Sequence, residues 1–181
     1  MTTWQRLEVG SGERRLCLAM NRWGTSRALT RFFRVISRLG DGVFWYTLMG
    51  LLAAFGGLRG IHAALHMACV GIVAATLYRT LKRWTRRPRP FRTYADITAY
   101  LAPLDEFSFP SGHTLHAVSF TLIALAYFPV LAPLLLAFTV LVAMSRVVLG
   151  LHYPSDVLAA TLIGCVLAGS SLWLVPASWF A

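Results

Sequence analysis

Four stretches without a single charged residue, 43–58, 60–78, 107–145 and 157–181, leave most of the Lys and Arg to residues 1–42 and 79–106. This segregation restricts the fold more than any other feature of the chain. A helix that crosses the hydrocarbon of a bilayer takes about 17–25 apolar residues at a rise of about 1.5 Å each. The third stretch is too long for one crossing and must fold back, and Tyr127-Phe128-Pro129 and Ala132-Pro133 supply the break. Hydrophobic residues make up 57% of the chain and the mean hydropathy is +0.62. Backbone polar groups in lipid must be satisfied within the segment, so the runs are expected to be helices. The fold class is therefore all-α, a polytopic transmembrane bundle of about five spans, near 42–59, 61–80, 112–128, 133–149 and 155–175. Gly50, Gly56, Gly57, Gly71, Gly164 and Gly169 suit close helix packing.

Residues 1–40 carry too many arginines to cross. Arg27, Arg31, Arg34 and Arg38 recur at helical spacing, with Leu29, Phe32, Phe33, Ile36 and Leu39 on the other face. This predicts an amphipathic helix lying in the interface, cations at the headgroups, with no soluble core to pack on. The expected organisation is an interfacial segment, 1–40, followed by a membrane domain, 41–181. No continuous apolar region of adequate length follows the first basic residues, so a secretory signal is not expected. Cys69 and Cys165 fall mid-span and Cys17 in the N-terminal segment, so a disulfide framework is not expected.

Two loops, between the second and third spans and between the fourth and fifth, fall on one side of the membrane and hold the chemistry-bearing residues. The first runs Lys82-Arg83-Trp84-Thr85-Arg86-Arg87-Pro88-Arg89-Pro90, then Pro110-Ser111-Gly112-His113; the second holds Ser145-Arg146, His152 and Asp156. Phosphoryl transfer carries negative charge on the non-bridging oxygens throughout, so its site needs fixed cations and N–H donors. Lys82, Arg89 and Arg146 supply cations, and guanidinium forks grip two oxygens at once. Ser111 and Gly112 offer a hydroxyl and free N–H groups at a helix N-terminus. Pro88 and Pro90 hold the basic strand extended. His152 is the candidate nucleophile, with Asp156 orienting its other ring nitrogen, and His113 the general acid for the departing oxygen. Pro154 suits the first turn of the fifth span, which leaves His152 on the preceding loop and Asp156 one turn inside.

The spacings Lys82-x6-Arg89-Pro90, Pro110-Ser111-Gly112-His113 and Ser145-Arg146-x5-His152-x3-Asp156 resemble the three-part signature of the type-2 phosphatidic acid phosphatase family, eleven specified positions in all. That family also includes bacterial acid phosphatases and vanadium haloperoxidases. The resemblance covers about residues 40–175 and implies a reaction without metal or cofactor through a phosphohistidine at His152. It implies His113 as acid, Asp156 as partner of His152, and Lys82, Arg89, Ser111, Gly112 and Arg146 holding the phosphate. The hydrophobic runs favour the membrane lipid-phosphatase branch, whose members commonly have six spans; here the arginine helix stands where the first would be.

Other residues carry plainer expectations. The basic run 82–92 taken alone suits headgroup anchoring, and Arg83, Arg86, Arg87 and Arg92 are as suited to that as to phosphate contact. His62 and His66 lie roughly 25–30 Å from Lys82 by helical rise and are expected in packing rather than on a metal. His116 is expected to make second-layer hydrogen bonds. Asp96, Asp105 and Glu106 suit a solvated loop more than a gate, and Asp41 a helix cap. Nucleic-acid binding, which the net charge of +10 would suggest, is not expected, because the basic residues adjoin membrane segments.

The expected activity is hydrolysis of a phosphate monoester or diphosphate on a lipid, of undecaprenyl diphosphate, phosphatidylglycerophosphate or phosphatidate type, in a bacterial inner membrane. Transfer to a lipid acceptor, or a non-enzymatic lipid-binding or scramblase-like role, are the alternatives. Sixteen of the 17 Lys and Arg residues lie on the side of the motif loops and only Arg59 lies opposite, which points that side to the cytoplasm. Many bacterial relatives in the resembled family work instead at the periplasmic face.

Overall fold

The computed structural model describes residues 11–180; Arg6 and the rest of the first ten residues of the expected interfacial segment lie outside it. Among the described residues every regular element is helical. Helix α1 (Ser11–Asn21) leads through a 3₁₀ turn to α2 (Arg27–Arg38), and a π-helical turn (Leu39–Val43) carries the chain into α3 (Phe44–Phe55). The long α4 (Gly57–Thr85), the short α5 (Pro90–Thr93), α6 (Gly112–Tyr127), α7 (Ala132–Val148) and α8 (Pro154–Leu174) complete the bundle.

Local chemistry marks the ends of these helices. Arg86 takes a left-handed conformation (φ 47°, ψ 32°) and its N–H returns to the Lys82 carbonyl, after which Pro88 and Pro90 bar any continuation of α4. Ser111 caps α6, its Oγ accepting the Thr114 N–H. The expected break at 127–133 separates α6 from α7. Pro154 opens α8, so that His152 precedes the helix and Asp156 sits in its first turn. Between α3 and α4 the backbones touch at Gly60, where an added Cβ would lie 1.9 Å from the Leu52 carbonyl oxygen.

Helix α6 is the axis of the bundle, sheathed by α4, α7 and α8. Trp45, Met67, Ile123, Tyr127, Leu135 and Val142 form the main core around it. Large apolar side chains on the outer faces, among them Ile72, Leu158, Leu162, Val166 and Trp173, are exposed, as a lipid-facing surface requires. Three segments are long and apolar enough to cross a bilayer, Gly57–Thr93, Pro129–Val148 and Pro154–Leu174. They correspond to the second, fourth and fifth expected spans. Helix α3 has 12 residues and α6 has 16, about 18 and 24 Å of rise against a hydrocarbon core of about 30 Å.

The N-terminal helices do find a core. Phe33 packs with Val148, Leu149 and Leu151 at the end of α7, and Ile36 joins the main core. Leu29, Phe32 and Val35 remain exposed, as do Arg27, Arg31, Arg34 and Arg38. The apolar face predicted for α2 is thus divided between the bundle and the outside.

Candidate active site

The extended segment after α4, the start of α6, the end of α7 and the loop before α8 meet at one end of the bundle. They bring Lys82, Arg89, Gly112, His113, Arg146 and His152 around one cavity, with Asp156 behind His152 and Ser111 buried at the cap of α6. Arg89 (φ −78°, ψ 153°) is extended, as its flanking prolines require. Its guanidinium is 1% exposed, and Lys82 and Arg146 are 6% and 2% exposed. Three buried cations this close need anions, and among the described residues the structure supplies carboxylates. Lys82 Nζ donates to both Asp105 oxygens, each at 2.7 Å, and to the Phe107 carbonyl at 3.0 Å. Arg89 Nη2 donates to Asp105 Oδ1 at 2.8 Å. Arg146 donates to Ser37 Oγ of α2.

The Asp105 carboxylate therefore sits on two of the groups expected to hold phosphate, in place of the solvated loop position read from the sequence. Burial raises its pKa, but the hydrogen bonds and charges of Lys82 and Arg89 outweigh that and hold it below the usual carboxylate range. Asp41 also departs from expectation. It caps no helix; Gly42 at φ 141° turns the chain inside the π-helical turn, and the Asp41 carboxylate contacts His113 Nε2.

His152 is 2% exposed and faces these cations. Its Nε2 lies 3.3 Å from Arg89 Nη1, and its Nδ1 lies 3.6 Å from Asp156 Oδ2. An acceptor Nε2 beside a guanidinium leaves the ring proton on Nδ1, toward the carboxylate. Burial, then the charges of Arg146, Arg89 and Lys82, lower the His152 pKa well below the ordinary imidazole value, so the ring is neutral at neutral pH.

Asp156 is fully buried, and its two oxygens are spoken for. Oδ2 accepts the Tyr153 N–H at 2.9 Å and Oδ1 accepts from Arg87 Nη1 at 2.6 Å. Arg87 is thus no headgroup anchor. It turns inward, stacks over Tyr153 at 4.1 Å, and also reaches Ser155 Oγ at 2.7 Å and Glu13 of α1 at 3.1 Å. Nothing in the basic run distinguishes Arg87 from its neighbours. Asp41, between two glycines at the head of a span, suited a cap by local rules.

His116 behaves as the expected supporting residue, with Nδ1 2.9 Å from the Gly112 carbonyl and Nε2 3.3 Å from the Gly71 carbonyl. His62 stacks on Trp179 and His66 pairs with Tyr127 at 3.1 Å, far from the site. A cavity of about 960 Å³ opens from the cationic cluster and runs between α3 and α4. Lys82, Arg89, Arg146, His113 and His152 line one end, and Met49, Ala68 and Ile72 the other. From Lys82 to Ala68 the helix rises about 21 Å. The polar end suits an anion and the apolar arm suits a hydrocarbon chain.

A profile of the PAP2 superfamily matches residues 59–180. Phosphatidylglycerophosphatase B of Escherichia coli (strain K12) is 38% identical over 73 residues, which are 38% of this chain and only 29% of that protein. The chain therefore spans less than a third of that relative's length. Decaprenylphosphoryl-5-phosphoribose phosphatase of Mycobacterium tuberculosis (strain ATCC 25618 / H37Rv) is 31% identical over 132 residues, 72% of each chain. The crystal structure of a transmembrane PAP2-type phosphatidylglycerolphosphate phosphatase from Bacillus subtilis superposes with a TM-score of 0.71 at 26% identity, covering 91% of this chain and 86% of that one.

Proposed function

Because this chain belongs to the PAP2 superfamily, we propose that it removes phosphate from a lipid phosphate at the membrane surface through a covalent intermediate on His152. The observation that carries this reading is the set of His152: a neutral imidazole with its Nε2 lone pair among Lys82, Arg89 and Arg146 and its Nδ1–H toward Asp156.

The cations and the Ser111 and Gly112 groups hold the non-bridging oxygens. His152 Nε2 attacks phosphorus, the P–N bond forms, the bond from phosphorus to the leaving oxygen breaks, and His113 gives that oxygen a proton. Asp156 stabilises the positive charge that develops on the His152 ring. Water then attacks the phosphohistidine, giving its proton to His113; the P–N bond breaks and inorganic phosphate leaves. As proposed, these steps use protein side chains and water and call on no metal.

The apolar arm of the cavity suits an acyl or prenyl chain, and the relatives' names speak of lipid phosphates of both kinds. Phosphatidate, phosphatidylglycerophosphate and an isoprenoid diphosphate are the substrate classes. The exposed arginine face of α2 suits the headgroups, and the arginine excess on this side favours the cytoplasmic over the periplasmic face of an inner membrane. The test is phosphate release by the detergent-purified protein from phosphatidate and a prenyl diphosphate, with chelator present. Release should survive the chelator and fall about 10³-fold or more in His152→Ala. Wild-type rates in that variant would overturn the mechanism, and loss of release to the chelator would overturn metal independence.

A further inference from the structure

The contacts of Arg87 reach beyond the groups that grip phosphate. Asp156 can orient His152 only as a carboxylate, yet it is fully buried, and an unpaired anion there is costly. The titratable and charged groups around it are His152 and Tyr153 ahead of α8, Arg87 and Arg89 of the basic strand, and Glu13 and Cys17 of α1. Of these, Arg87 alone donates a side-chain hydrogen bond to it, at 2.6 Å on Oδ1, beside the neutral Ser108 hydroxyl. That leaves Oδ2 to the Tyr153 N–H and to His152.

Arg87 is itself held. Glu13 accepts from Arg87 Nη2 at 3.1 Å, while its other oxygen accepts the Ser155 N–H at 3.0 Å and the Ser155 hydroxyl. A free N–H of the first turn of α8 is thereby satisfied by a residue of α1. The Tyr153 ring lies under the guanidinium. The fork is therefore held from α8, from the Tyr153 ring and, through Glu13, from the N-terminal helix.

We infer that Arg87, clamped by Glu13, is a positioning residue for phosphoryl transfer: it keeps Asp156 a carboxylate with Oδ2 turned to His152, which makes α1 part of the catalytic apparatus. This rests on the reading of His152 as the phosphate acceptor. Arg87 is not among the cations that the cavity exposes to an anion, so its loss should spare substrate binding.

The experiment compares purified wild type with Arg87→Met, Arg87→Gln, Arg87→Lys and Glu13→Gln on dioleoyl phosphatidate in detergent micelles, with His152→Ala as the baseline. Arg87→Met and Arg87→Gln should lose about 30- to 100-fold in kcat with KM within about twofold, a range set by general catalysis losses. Their acid limb of kcat/KM should move to higher pH by about one unit, because a carboxylate without its cation is neutralised earlier. Arg87→Lys should recover most of the limb position and part of kcat. Glu13→Gln should show a smaller loss in the same direction. Melting temperature and elution profile identify folded variants; Arg87→Gln decides if Arg87→Met does not fold. A folded neutral variant with wild-type kcat and acid limb overturns the inference, as does a loss with the limb unmoved and no recovery in Arg87→Lys. Full activity in His152→Ala would instead overturn the underlying mechanism, and the inference with it.

Discussion

Asp105 lies where an incoming phosphate should bind, and replacing it by asparagine tests whether it competes. Its carboxylate accepts two contacts from Lys82 at 2.7 Å and one from Arg89 at 2.8 Å. Charge-assisted hydrogen bonds are worth about 1.5–3 kcal/mol each where water is excluded. The Asp105 side chain is 40% exposed, so hydration and screening reduce the whole set to about 1–2 kcal/mol. Asparagine keeps the volume and one acceptor but loses the charge. Inorganic phosphate, the product, no longer has that carboxylate to displace, and its Ki as an inhibitor should fall about 5- to 30-fold.

The same substitution leaves two buried cations short of an anion, so the melting temperature should drop and added phosphate should restore it further than in wild type. Since the Asp105 pKa is held below the usual carboxylate range, the competition persists throughout neutral pH. Glu106→Gln is the control, because Glu106 pairs with the exposed Arg92 and not with Lys82 or Arg89. An unchanged or raised Ki in Asp105→Asn would refute the reasoning and make Asp105 a part of the phosphate site.

Two further outcomes follow from geometry. The His152 pKa lies well below the ordinary imidazole value of about 6.5, so the acid limb of kcat/KM from this ring lies well under that pH. For a depressed imidazole the associated stability is complete above the unfolded value and declines as pH falls toward the folded one, which a melting series from pH 7.5 downward reads; an acid limb at or above 6.5 contradicts the assignment. Gly60→Ala drives a Cβ to 1.9 Å from the Leu52 carbonyl oxygen and should destabilise the α3–α4 hairpin by about 1–3 kcal/mol, whereas Gly50→Ala, with nothing within 4 Å, should not; equal melting temperatures would mean that the hairpin packs differently.

The parts of this architecture legible in the sequence are those in which one residue type has one physical use. Charge-free runs become helices because lipid leaves no alternative, and Pro90, Pro129 and Pro154 fall at helix boundaries because proline cannot continue or can only begin one. The partners of the charged residues were less legible. Arg83, Arg86, Arg87 and Arg92 are equivalent as letters, and Arg87 turns inward because Arg86 adopts a left-handed conformation uncommon for any residue but glycine. Asp41 and Asp105 suited a cap and a solvated loop by local rules, and only the tertiary approach of α6 and of the Lys82–Arg89 segment made them site residues. Phe32 and Phe33 share a helical face, yet only Phe33 meets the end of α7.

The distribution of the carboxylates has a consequence for how such a site works. Lys82, Arg89 and Arg146 must be kept charged where they are buried, and a cluster of like charges without substrate would repel itself apart or draw in water. Asp156 is fixed in the first turn of α8 and bound to Arg87, so it cannot follow the needs of the cations. Asp105 and Asp41 stand instead on a loop and on a glycine-flanked turn, where moving a side chain costs little. On the proposed mechanism the immovable carboxylate serves the nucleophile, while Asp105 on Lys82 and Arg89 and Asp41 on His113 give way to an anionic substrate. Product phosphate must in turn be displaced by the same carboxylates, so a substitution that tightens phosphate binding at Asp105 should slow turnover wherever release of phosphate limits kcat.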